Sequence, residues 1–397
     1  MTYVKMETTR SILIVAGEPS GDRHAARLVE SIRNLDTAKT RDFFGAAGPM
    51  MRSVGVEPVV AADELSIVGV AEIGRALPMF VSAYRQLLHA AEARKPSIVI
   101  LVDFPEFNLK LARSLKKRGF TVVYYISPQL WAWRKYRIRT IKRHVDLLLT
   151  ILPFEGKWYA ERGVEHVKYV GNPLATEVHP FLSRKEFCSK HSLEPTRPII
   201  ALLPGSRRKE IVRVLPVLIE TASRLSAEDH ERQFVIPIAH ERHLSDVNSR
   251  IANAKKNGVT LPDNLRIVID ETYDALSAAD VAAVTSGTAT LEAGIIGTPM
   301  VIVYATSSLN YLLLKPLISV EHYGLINLIA GKKVARELIQ GHFSPVSTAA
   351  ELCRLLEPKE NARVREELRA AADELGSGGA SKRAAAAIIE LVNTGDR

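Results

Sequence analysis

Two five-residue apolar runs, Ile12–Ala16 and Ile199–Leu203, constrain the chain most, because turn residues and then a helical pattern follow each of them at once. An apolar run without polar alternation reads as a strand buried on both faces, and such strands belong to parallel sheets covered by helices. After the first run, Gly17-Glu18-Pro19-Ser20-Gly21-Asp22 reads as a loop, and His24 to Asn34 as a helix with Ala26, Leu28, Val29 and Ile32 as its apolar set. After the second come Pro204-Gly205-Ser206, then a helical pattern through Ile211, Leu215, Leu218 and Ile219. The unit recurs. Further strands are expected at 43–46, 98–102, 121–126, 145–151 and 166–170, and in a second series at 234–238, 265–269, 281–285 and 299–304. Gly171-Asn172-Pro173-Leu174 reads as a hinge between the series.

Two consecutive series predict an α/β protein of two Rossmann-like domains facing each other across a cleft. A chain of 397 residues is in any case too long for one compact core. The expected divisions are 1–172, 173–345 and a helical, Ala-rich segment over 346–397. Within that segment Gly376-Ser377-Gly378-Gly379 follows no strand, so it reads as a turn between helices.

The loop after Leu203 gathers backbone N–H groups and a positive helix dipole at one point, with Arg207 and Arg208 beside them. Arginine suits bidentate binding of phosphate oxygens. Thr285-Ser286-Gly287-Thr288-Ala289-Thr290-Leu291-Glu292 repeats the arrangement, with Glu292 one turn into the helix, where a carboxylate can hold two ribose hydroxyls. The bland alternative is a helix capped by Ser286 or Thr288. Neither loop is a Walker A sequence, the first loop of the chain is not G-x-G-x-x-G, and there is no Asp-x-Asp. Nothing calls for a cofactor or a metal; His240 and His243 lack an evident third ligand and read as surface histidines.

The net charge of +9 implies an anionic partner: nucleic acid, acidic lipid or a nucleotide-linked substrate. Trp131 to Arg143 places Arg134, Lys135, Arg137, Arg139, Lys142 and Arg143 among Trp131, Trp133 and Tyr136. Such interleaving suits nucleic acid or an anionic membrane, against the alternative of a solvated helix face. The segment 67–80, with Val68, Ile73, Leu77, Met79 and Phe80, is apolar on many sides yet broken by glycines and Pro78. It reads as core packing or as a greasy patch for acyl chains. The first apolar run is too short for a signal peptide, and no run approaches the length that spans a bilayer. Cys188 and Cys353 form no metal spacing or disulfide framework, which fits a reducing cytoplasm.

Asp103 ends the run Ile98–Val102, at the carboxyl edge where open α/β sheets place their ligands. Asp103-Phe104-Pro105-Glu106 also reads as a variant capping box.

Ala16-Gly17-Glu18-Pro19-Ser20-Gly21-Asp22, Ser127-Pro128-Gln129-Leu130-Trp131-Ala132-Trp133-Arg134, Leu203-Pro204-Gly205-Ser206-Arg207 and Ser286-Gly287-Thr288-Ala289 resemble, in order and spacing, the lipid-A-disaccharide synthase family. Asn327-Leu328-Ile329-Ala330-Gly331 and Glu337-Leu338-Ile339-Gln340 extend the resemblance over nearly the whole chain. It implies the paired-Rossmann (GT-B) glycosyltransferase fold, with the C-terminal helices packing back toward the N-terminal domain. The implied reaction is inverting: UDP-2,3-diacylglucosamine and 2,3-diacylglucosamine 1-phosphate give a β-1,6 disaccharide and UDP. By the same resemblance the C-terminal domain holds UDP through Gly205, Ser206, Arg207, Ser286, Gly287, Thr288 and Glu292, while Asn327, Glu337 and Gln340 contact the donor sugar or its phosphates. The N-terminal domain holds the acceptor, with Asp103 as general base and Glu18 or Asp22 as the alternatives. Trp131, Trp133, Arg134, Arg137 and Arg139, with the 67–80 segment, would dock a peripheral enzyme on the inner face of a Gram-negative-type inner membrane; a homodimer is allowed. Two rivals remain at this stage. A UDP-N-acetylglucosamine 2-epimerase shares the architecture but leaves the basic aromatic run unexplained, and a nucleic-acid-binding protein needs no nucleotide site.

Overall fold

Parallel strands must be returned to the same edge of a sheet by crossovers, and here helices supply them. The first sheet contains β1 (Ile12–Ala16), β2 (Phe43–Ala47), β3 (Glu57–Ala61), β4 (Ile98–Val102), β5 (Val122–Tyr125), β6 (Leu147–Thr150) and β7 (Val167–Tyr169), in the order β3-β2-β1-β4-β5-β6-β7. Every neighbouring pair is parallel. Successive residues of β1 point to opposite faces, so Ile12, Ile14 and Ala16 join one core while Leu13 and Val15 join the other. Both faces of the central strands β1, β2, β4 and β5 are dry, which is why these carry no polar alternation.

The computed structural model of this protein describes residues 11–36, 41–63, 73–306 and 321–395. The chain divides into two units, Met1–Pro173 with Gly378–Arg397, and Leu174–Ser377. The second unit repeats the plan with β8 (Ile199–Leu203), β9 (Gln233–Ile238), β10 (Leu265–Ile269), β11 (Val281–Thr285), β12 (Met300–Tyr304) and β13 (Glu337–Ile339), in the order β10-β9-β8-β11-β12-β13. These strands too are all parallel.

Several expectations are corrected. The segment 346–397 is not one piece: helices Pro345–Leu356 and Pro358–Asp373 belong to the second unit, and helix Ala380–Gly395 to the first. There Ala384, Ala385, Ile388 and Val392 close the core against Leu28, Val29 and Ile32 of helix Pro19–Leu35. That helix begins five residues before His24, because Pro19 falls in its first turn, where a missing N–H costs nothing. Strand β3 contains Pro58 and is half exposed, as an edge strand allows, so it gave no apolar run. Pro78 does not break the chain but sits inside helix Ile73–Arg94. His243 is buried rather than on the surface, and burial with the Arg242 charge beside it pushes its pKa down.

Candidate active site

In both sheets the order reverses once, between β1 and β4 and between β8 and β11, and loops leaving such a pair diverge to open a crevice. Of the sequence-derived residues, Glu18, Asp103, Arg207 and the stretch Ser286 to Glu292 follow these strands.

In the second unit, Gly205 lies in the turn after β8, and its φ of +107° is in the region that favours glycine. The turn opens helix Arg208–Glu228, and the Glu210 carboxylate reaches back to accept from the amides of Ser206 (3.1 Å) and Arg207 (3.2 Å). Arg208 is held by both carboxylate oxygens of Asp246, at 3.0 and 3.2 Å. Arg207 makes only a long contact with Glu210, 3.5 Å, and its side chain is 83% exposed. Arg208 is also largely exposed, but of the two arginines only Arg207 lines the cavity described below.

The loop after β11 lies across from it. Thr285 Oγ1 donates to the Leu203 carbonyl (2.8 Å) and stitches the two strand ends together. Gly287, not Ser286 or Thr288, occupies the N-cap position of helix Thr288–Ile296, and no side chain caps it. Ser286 instead donates to the Tyr323 carbonyl (2.8 Å). The helix amides therefore face a cavity of about 300 Å³ lined by Gly205, Ser206, Arg207, Ser286, Gly287, Thr288 and Glu292. Thr272, Pro237 and Ala239 complete it from the β9 side; no motif announced them. Tyr273 donates to Glu292 (3.2 Å), so the carboxylate is steadied at the wall.

Asn327, Glu337 and Gln340 are placed differently. Asn327 is buried, donates to Ala335 O (2.7 Å) and Glu337 (2.9 Å), and accepts from Ala335 N (2.9 Å). Glu337 accepts from the amides of Tyr323 (3.0 Å) and Gly324 (2.9 Å). Gln340 brackets Thr306, accepting from its N–H (2.6 Å) and donating to its carbonyl (3.2 Å). Through Tyr323, the Asn327–Glu337 pair supports the acceptor of the Ser286 hydroxyl.

In the first unit, Asp103 and Phe104 follow β4 with φ of 46° and 52°, two consecutive left-handed residues that are not glycine. Backbone held this way persists only where its surroundings over-determine it. The Asp103 carbonyl accepts from Tyr124 Oη (2.6 Å) and Asn108 Nδ2 (2.8 Å), and its N–H donates to Tyr125 O (3.0 Å). The capping-box reading fails, since Phe104 is the N-cap of helix Pro105–Lys116 and Asp103 lies outside it. Burial first, then the nearby Glu18 charge, push the Asp103 carboxyl up to about 6, against a downward pull from the Phe104 amide. Gly17 makes room for the turn: a Cβ there would meet the Phe104 ring at 2.3 Å.

Glu18 is exposed. Asp22 is buried, and its carboxylate accepts from the amides of Gly48 (2.9 Å), Met50 (2.8 Å) and Met51 (3.2 Å), tying down helix Pro49–Ser53. Phe80 packs on Phe104 and Phe107, at 6.2 and 6.3 Å between centroids, so Met79 and Phe80 are half-buried while Leu77 is exposed. Val68 and the Ile73 side chain lie outside the described residues.

The basic run is not the uniform patch its composition suggests. Trp131 is buried, with its indole N–H on Glu155 (3.0 Å). Arg134 and Arg137 share the Glu106 carboxylate, the second at 2.6 Å. Arg139, Trp133 and Tyr136 remain exposed.

Two parallel-sheet units, with an anion-ready cavity at the switch point of the second, define a protein of the paired-Rossmann class. The fold agrees with solved structures of two kinds. UDP-GlcNAc 2-epimerase from Neisseria meningitidis, bound to UDP-GlcNAc, matches with a TM-score of 0.62 at 14% identity, over 97% of this chain and 100% of that one. Sucrose-phosphate synthase from Thermosynechococcus elongatus matches with a TM-score of 0.60 at 15% identity, over 97% and 100%. Likeness at such identity shows the fold alone. The sequence decides the family: the model of Lipid-A-disaccharide synthetase matches residues 12–389. The lipid-A-disaccharide synthase of Syntrophus aciditrophicus is 42% identical over 389 residues, covering 98% of this chain and 99% of that protein. That of Geobacter metallireducens is 39% identical over 386 residues, covering 96% and 97%. The chain belongs to the lipid-A-disaccharide synthase family and is a glycosyltransferase.

Replacing Arg207 with Ala should weaken UDP binding roughly ten- to a hundredfold, the size of one lost charge-assisted contact. Arg208→Ala, whose partner is Asp246, should change it far less. Calorimetric titration with unchanged UDP affinity in Arg207→Ala would remove Arg207 from the site.

Proposed function

We propose that the second unit binds UDP-2,3-diacylglucosamine and the first binds 2,3-diacylglucosamine 1-phosphate, with Asp103 as the base. Asp103 takes the proton of the acceptor's 6-hydroxyl as its oxygen attacks the anomeric carbon. The bond to the UDP oxygen breaks on the opposite side, the anomer inverts, and UDP leaves with the bonding pair. Arg207 and the amides of Gly287 and Thr288 stabilise the charge that builds on the diphosphate. Glu292 holds the ribose.

The observation that carries this reading is Asp103 itself: a half-buried carboxylate on a strained turn at the switch point, with a pKa lifted toward neutrality. A base in that range accepts protons well and is still ionised at neutral pH. Asp22 is a poorer choice because both its oxygens hold backbone amides. An epimerase reading draws only on the shared fold, and neither it nor a nucleic-acid role uses the family sequence.

The same reading places the enzyme on the inner face of the inner membrane, its lipid substrates reached from the surface. No helix among the described residues is long and apolar enough to cross a membrane. Exposed Leu77, Val81, Trp133 and Tyr136 supply apolar contact, and Arg139 supplies charge. Since Glu106 already offsets Arg134 and Arg137, the electrostatic part is smaller than composition suggests. Cosedimentation with anionic vesicles should fall as salt rises and fall further in Leu77→Ser/Trp133→Ser. Indifference to anionic vesicles at low salt would contradict a membrane role.

Incubation with both acylated sugars should release UDP and a β-linked disaccharide in equal amounts. Asp103→Asn should remain folded and bind UDP while turnover drops by roughly a hundredfold or more. Wild-type turnover should fall as pH drops through about 6, because the protonated carboxyl cannot accept the hydroxyl proton. Near-normal turnover in folded Asp103→Asn would move the base elsewhere.

A further inference from the structure

Glu155 is a carboxylate that the reaction above does not use, yet only 1% of it is exposed. It opens the short helix Glu155–Ala160, just after β6. One oxygen accepts from the Trp131 indole (3.0 Å); the other accepts from the amides of Ile151 (3.2 Å) and Leu152 (3.1 Å). One turn along, the Tyr159 hydroxyl donates to the Pro128 carbonyl (2.8 Å). Two side chains of one helix therefore grip the loop after β5 at both ends of the stretch 128–131. Trp131 also meets the Phe154 ring edge-on at 5.1 Å.

What this loop carries gives the grip its purpose. Arg134 leaves it in a left-handed conformation, φ 55°, with its guanidinium 4.2 Å from the Trp133 ring centre. Arg134 and Arg137 then converge on Glu106, in the first turn of the helix that follows Asp103 and Phe104. The ends of β4, β5 and β6 are thus joined: Glu106, three residues along the chain from Asp103, holds the two arginines, and their loop is held through Trp131 by Glu155. Two guanidiniums on one exposed carboxylate form a rim that can exchange that carboxylate for a phosphomonoester.

We infer that Glu155 is a positioning residue, which through the Trp131 indole fixes the Arg134–Arg137 rim so that the acceptor's phosphate is held while its hydroxyl lies at Asp103. This rests on the reading that the first unit binds the acceptor. A buried carboxylate is costly unless its acceptors are filled, and burial pushes this one up to about 7 against the hydrogen bonds it accepts. An apolar residue packed there would be simpler if the position served only the core. A carboxylate supplies what the loop needs, two acceptor oxygens aimed at donors from two different strand ends.

Glu155→Gln keeps the shape but turns an N–H toward either the indole or the two backbone amides. Trp131→Phe keeps the ring against Phe154 and removes only the donor. Steady-state kinetics should show the KM for the phosphorylated acceptor raised roughly tenfold in Glu155→Gln, the size of one charge-assisted hydrogen bond. The same direction is expected in Trp131→Phe, with the KM for the UDP-sugar donor within about twofold of wild type in both. The double variant should be no worse than Glu155→Gln alone, because the two share one interaction. If Glu155→Gln does not fold, Trp131→Phe alone carries the comparison. An unchanged acceptor KM, or equal losses for donor and acceptor, would overturn the inference. Asp103→Asn assayed beside them separates the failures: its loss of turnover with an unchanged acceptor KM in Glu155→Gln would sink only the role of Glu155.

Discussion

Both candidate half-sites depend on one constraint, the single reversal of strand order in an all-parallel sheet. Neighbouring strands on either side of the reversal send their following chain to opposite faces, so the carboxyl ends of β1 and β4, and of β8 and β11, are left with no helix across them. Residues that must meet a ligand can stand there without disturbing the core. Gly17 and Asp103 occupy the first reversal; Gly205 and Gly287 occupy the second. The Thr285 hydroxyl, bonded to the Leu203 carbonyl, shows how closely the second pair of strand ends is fixed.

The same geometry produces opposite electrostatics at the two points. At β8 and β11 the chain enters helices, so N–H groups and positive dipole ends collect, and Arg207 adds an exposed charge. Anions are favoured there. At β4 the chain first passes through two left-handed residues, and a carboxylate is held on this turn with Glu18 nearby. Charge is disfavoured there, and a proton is welcome. On the proposed reading one reversal serves as the diphosphate seat and the other as the base, the division of labour that glycosyl transfer requires. Within the basic run, Arg134 and Arg137 are tied to Glu106, while Arg139 is exposed.

Most of the architecture was legible because strands buried on both faces cannot hide. Ile98–Val102, Ile199–Leu203 and Val281–Thr285 have the bounds their apolar runs imply. The edge strands Glu57–Ala61 and Glu337–Ile339 were missed, because partial exposure and short length leave no such run. Positions at loop starts were legible too, since a residue just past an apolar run stands at the sheet's carboxyl edge. Side-chain partnership was not. Trp131 read as a surface aromatic because its neighbours are cations, and only the fold brings Glu155 under its indole. Asp103 read equally as a cap, because a capping box is defined by spacing while the left-handed turn at Phe104 depends on Tyr124 and Asn108, which local sequence does not link to it. The family motifs named Asn327 and Glu337 without disclosing that they grip each other and the backbone.

The central claim is that the turn after β4 makes Asp103 a proton acceptor near neutral pH. It is tested most directly by the titration of that one carboxyl. Carbon-13 NMR of protein labelled at its aspartate carboxyl carbons, with Asp103→Asn to identify the resonance, would follow it. The account predicts a midpoint near 6, moving downward in Glu18→Gln as the neighbouring charge is removed. A midpoint in the ordinary aspartate range, about 4, would contradict it.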